Sequence, residues 1–67
     1  MESTRTNMLR IAEVCRRTGL SKSQIHRMID GSSFPEPVKL SARATAWVEA
    51  EVEGWLRDRI TAAREAR

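Results

Sequence analysis

The sequence predicts a small, mostly helical fold with one β-hairpin. Apolar residues recur at helical spacing in three segments. Glycine and a helix-start signal separate the first two of these segments. Before the third comes a stretch with both of the chain's prolines, followed by short apolar alternation. With 67 residues the chain holds one domain and a shallow core, which argues against an enzyme with a substrate pocket.

Residues 1–7 are polar and lack periodicity, so they read as a loose tail, with order beginning near Met8 or Leu9. In "LRIAEVCRRTG" the apolar positions Ile11, Val14, Cys15 and then Thr18 share one face, predicting a helix from Ile11 to Thr18. Gly19 closes it. In "GLSKSQIHRMIDG" Ser21 offers an N-cap and Gln24, three residues on, completes a capping-box pattern. The second helix should run from Lys22 to about Asp30, burying Leu20, Ile25, Met28 and Ile29. Its outward side then carries Lys22, Ser23, His26 and Arg27.

The two prolines of "SSFPEPVKLSARATAWV" forbid a continuous helix. Val38 and Leu40 alternate around Lys39 as a strand, "ATAWV" returns as its partner, and Arg43 falls near the turn. From about Glu49 the apolar face Val48, Val52, Trp55, Leu56 and Ile60 predicts a third helix. Acids in its first turns and arginines toward its end suit the helix dipole. Gly54 costs this helix roughly 1 kcal/mol, with close packing beside Trp55 as the compensation considered. The domain is expected over residues 8–60, with 61–67 as the helix end or a frayed tail. The order is helix, turn, helix, hairpin, helix: a winged helix-turn-helix.

The charge is asymmetric. Residues 1–34 hold six Lys or Arg against three acids, and residues 35–67 hold six against six, so the net +3 lies in the first half. A local positive field points to a polyanion, most simply nucleic acid. The single Cys15 allows no intrachain disulfide, fits a reducing cytoplasm, and reads as packing. No apolar run approaches a membrane span. His26 lacks partners for a metal site, and Ser23, His26 and Asp30 on one open helix lack the pocket a catalytic triad needs. No cofactor or metal is expected.

The spacing of the first two helices carries a function. A small residue, Cys15, stands four positions before Gly19, with Ile25 and Met28 six and nine after it. That pattern lets the second helix cross closely over the first and frees its outer face for a major groove. The segments "LRIAEVCRRTGLSKSQIHRMI", "FPEPVKL" and "WVEAEVEGWLRDR" together resemble the AlpA family of prophage regulators. That family is related to small excisionases and to the DNA-binding head of MerR-type regulators.

The resemblance implies a winged-helix protein that binds double-stranded DNA and regulates transcription or excision on a mobile element. It implies Ser21, Lys22, Ser23, Gln24, His26 and Arg27 on the recognition helix, with Lys39 and Arg43 in or near the wing. Relatives often carry Thr in place of Gln24 and an aromatic in place of His26.

The residue chemistry points the same way. Arg27 suits bidentate contact with guanine. Lys22 and Ser23 suit a phosphate at the helix start, and Arg16 and Arg17 suit the DNA backbone. Arg43 suits phosphate or the minor groove. Gln24 either closes the cap or reads a base. One helix reads few base pairs, so high specificity needs a second copy through weak self-association or cooperative binding, a neighbouring DNA-bound protein such as an integrase, or repeated sites. The sequence does not choose among these. The rival reading is a protein-interaction module whose basic face docks an acidic partner.

Overall fold

The computed structural model describes residues 6–66, as β1 (Met8–Leu9), α1 (Ile11–Thr18), α2 (Lys22–Asp30), β2 (Val38–Ser41), β3 (Ala44–Val48) and α3 (Glu49–Glu65). The architecture is a winged helix-turn-helix, with the β2–β3 hairpin as the wing. A third strand joins it: the sheet order is β1-β3-β2, antiparallel throughout.

The α1–α2 turn follows from three residues. Gly19 adopts a left-handed φ of 76° and its N–H donates to the Cys15 carbonyl. The Thr18 hydroxyl donates to the Val14 carbonyl at 2.8 Å and accepts the Leu20 N–H at 3.2 Å. Ser21 then starts α2 with both halves of a capping box. Its hydroxyl accepts the Gln24 N–H at 3.1 Å, and its own N–H donates to Gln24 Oε1 at 2.9 Å. Two orphan donors of a nine-residue helix are thus satisfied.

The core is Leu9, Val14, Ile25, Phe34, Trp47 and Val52, with Ile11, Cys15, Leu20, Met28, Ile29, Trp55 and Leu56 packed around it. Both indoles hold the proline loop. Trp47 Nε1 donates to the Pro35 carbonyl at 3.0 Å, and Trp55 Nε1 donates to the Ser33 carbonyl at 2.8 Å. Trp55 also meets Phe34 edge to face at 4.8 Å. The loop carries the wing, so these contacts fix the wing relative to α2.

β1 is an element that the sequence pattern does not announce. Met8 pairs with Val48 and Leu9 with Trp47, which buries Leu9. Of the tail expected over residues 1–7, residues 1–5 lie outside the described residues, while Asn7 is bonded. Its carbonyl accepts the Glu49 N–H at 2.8 Å, satisfying the start of α3, where no side chain caps.

Two expectations on α3 are corrected. Ile60 does not join the core: it is 48% exposed, because the helix runs on past the sheet and each residue from Arg57 to Ala66 is exposed. Gly54 marks no close approach, since a Cβ there would meet nothing within 4 Å.

Candidate nucleic-acid interface

α2 is anchored by the buried Ile25, while Ser21, Lys22, Ser23, Gln24, His26 and Arg27 are all exposed. The capping box engages the Ser21 hydroxyl and the Gln24 carbonyl oxygen. The Gln24 amide N–H groups make no hydrogen bond among the described residues.

Lys22 and His26, one turn apart, line a cleft of about 280 Å³ between α2 and the wing. Arg43, in the turn between β2 and β3, lines it from the wing side, and Thr45 and Trp47 contribute from β3. Arg10 enters from the residue before α1. In the sequence Arg10 stands out only as one of the six basic residues of the first half. The signal available was its place directly before a helix start, which becomes informative once the wing is known to fold back beside it.

Ser23 and Arg27, also one turn apart, stand beside that cleft on the exposed side of α2. Lys39 is exposed in β2 and pairs with Thr45. The hairpin divides two environments. Thr45 lines the basic cleft, whereas Val38, the neighbour of Lys39 in the strand, lines a broad groove of about 850 Å³ against α3. Adjacent strand residues project to opposite faces. That second groove carries Glu36, Glu51 and Asp58 and is walled by Phe34 and Trp55. Among the described residues these three acids make no ion pair, and no three acids converge closely enough to hold a metal ion.

The arginines of α1 divide. Arg16 bonds to Glu13 but keeps a side chain 76% exposed. Arg17, expected to face a polyanion, is instead held by three carboxylates. Its Nε lies 2.9 Å from Glu13, and its Nη1 lies 2.8 Å from Glu49 and 2.9 Å from Glu53. The acids of early α3 that suit the helix dipole also meet α1 here, which the sequence spacing of 32 and 36 residues conceals. Arg17 thus clamps α1 to α3.

The clamp sets a pH dependence. The Glu13 carboxyl is held below its ordinary value first by the Arg17 hydrogen bond and then by Arg16. The Glu49 carboxyl is lowered first by the Asn7 side-chain amide, which donates at 3.0 Å, and then by Arg17. A carboxyl lowered on folding adds stability that is fully present above its unfolded pKa of about 4.3. That stability is lost as pH falls through the lower folded values. The melting temperature should therefore fall as pH drops below about 4.3, and Arg17→Gln should flatten that fall. An identical acid profile for variant and parent would contradict the clamp.

Among the described residues no helix is long and apolar enough to cross a membrane. The family model described as prophage CP4-57 regulatory protein (AlpA) matches residues 7–60. The uncharacterized protein ORF88 of Enterobacteria phage P4 is 39% identical over 57 residues, covering 85% of this chain. The chain spans 65% of that relative's length. The DNA-binding transcriptional activator AlpA of Escherichia coli (strain K12) is 29% identical over 58 residues, covering 78% of this chain and 83% of the relative. The match takes in both helices of the helix-turn-helix, the proline loop, the hairpin and most of α3, and the chain belongs to the AlpA family of prophage regulatory proteins.

Proposed function

We propose that this protein binds double-stranded DNA sequence-specifically through residues 8–60, and regulates transcription or directs excision of a mobile element. The observation that carries the reading is the exposed polar side of α2, fixed by a capping box and a buried Ile25, beside a wing that shares one basic cleft with it. α2 enters the major groove. Arg27 reads a base, with Ser23 and the Gln24 amide as further contacts at the helix start. Lys39 and Arg43 brace the backbone from the wing, and Arg16 reaches it from α1. Arg17 keeps its structural bonds. The relative named a DNA-binding transcriptional activator supports the regulatory role.

Such a protein acts in the cytoplasm on the nucleoid and does no chemistry on its ligand. A single α2 reads few base pairs, so a second copy or a neighbouring DNA-bound protein such as an integrase supplies the remaining specificity.

A salt titration tests the mode of binding. About four phosphate contacts give a slope near −3.6 in log affinity against log salt, from roughly −0.9 per contact. Footprinting on DNA around its own gene then locates the site. A protein that ignores duplex DNA at low salt but captures an acidic protein through its basic side would establish the rival reading.

A further inference from the structure

The basic cleft has a composition that base reading does not require. Three separate elements bring cationic or proton-bearing side chains to one concavity: Arg10 from the start of α1, Lys22 and His26 from α2, and Arg43 from the wing turn. Ile11, the first residue of α1, also lines it, and α1 opens without a side-chain cap. The partial positive charge of that helix start lies at the edge of the same space. Like charges from three elements repel unless an anion lies between them. Among the described residues no carboxylate lines the cleft to do so. Arg10 has no acidic partner among the described ion pairs, in contrast to Arg17.

We infer that the cleft is a seat for a single backbone phosphodiester of duplex DNA, gripped jointly by Arg10, Lys22, His26 and Arg43. The inference rests on the DNA-binding reading and deepens it. It gives Arg10 a binding role and makes His26 a phosphate contact, not a base reader. The seat ties the register of α2 in its groove to the position of the wing, because one phosphate touches both. Phosphate contacts of this kind orient a protein on the duplex without reading sequence.

The test uses Arg10→Gln, Arg43→Gln and the double variant, with binding to a labelled duplex of mixed sequence measured at low salt. Arg10 and Arg43 are exposed, and unchanged circular dichroism and melting establish that each variant folds. Each single variant should bind about tenfold more weakly, the effect of losing one charge-assisted hydrogen bond. The double variant should lose clearly less than the product of the two, because both side chains hold one phosphate. His26 is the only histidine, so its ring-proton resonance reports on the cleft. It should move when duplex is added to the parent protein at fixed pH, and move less in Arg10→Gln.

An Arg10→Gln variant that binds like the parent overturns the seat and leaves the DNA-binding reading standing. So does full multiplication of the two single losses, or a His26 resonance that stays in place. A parent protein that does not bind duplex at all removes both.

Discussion

Trp47→Ala is expected to leave the chain largely unfolded at room temperature. Trp47 is 2% exposed and stands in β3, the strand that both others pair with. Truncating a buried Trp to Ala typically costs 3–5 kcal/mol, on the order of the whole net stability of a domain this small. Two further losses fall on the same position. The Pro35 carbonyl loses its donor, and Leu9 loses the core side chain of its cross-strand partner. Trp47→Phe keeps much of the volume but not the N–H, and should lie between the two. Urea unfolding followed by far-ultraviolet circular dichroism measures this, with Trp55 fluorescence as a local reporter. An alanine variant within about 1 kcal/mol of the parent would show that the sheet and proline loop do not depend on this side chain.

Arg27→Ala should cost specific binding far more than binding to random duplex. A bidentate arginine–guanine contact is worth about 1–3 kcal/mol of discrimination, or roughly 5- to 150-fold. The structure supplies what such a contact needs. Arg27 is exposed on a helix whose start is locked by the capping box and whose other side is pinned by Ile25. Among the described ion pairs it has no carboxylate to leave, whereas Arg17 has three. The measurement compares the variant on the footprinted site and on a scrambled duplex at one salt concentration. Equal losses on both would assign Arg27 to the backbone.

The helices were legible because their signals are local. Ser21 and Gln24 stand three residues apart and bond to each other, so the pattern in the sequence and the bonds in the structure are the same fact. Gly19 likewise acts on its own helix end. The wing was legible from the alternation of Val38 and Leu40 around Lys39 and from the returning stretch Ala44 to Val48.

What escaped depends on contacts between distant segments. Met8 and Leu9 form a strand too short to alternate, defined only by Val48 and Trp47 opposite. Arg17 looks like any surface arginine until α3 brings Glu49 and Glu53 to it. Arg10 joins the cleft only because β3 packs on α1 and brings Arg43 and Thr45 beside it. Ile60 failed in the other direction: periodicity set its side of the helix, but among the described residues no neighbouring element covers it. Of the candidate site, the exposed residues of α2 were readable, and the partition of the arginines between clamp and cleft was not.

The two sides of the hairpin give the molecule an electrical polarity. Cations gather around the cleft, and Glu36, Glu51 and Asp58 around the opposing groove. Near a rod of negative charge such a body feels a torque as well as a pull. Tumbling would be biased toward the docking attitude before any contact forms, raising the fraction of collisions that become complexes. In the proposed docking attitude the same polarity would turn the acidic groove outward, away from the phosphates. A second macromolecule approaching the loaded duplex would meet a negative, partly aromatic surface in place of a positive one.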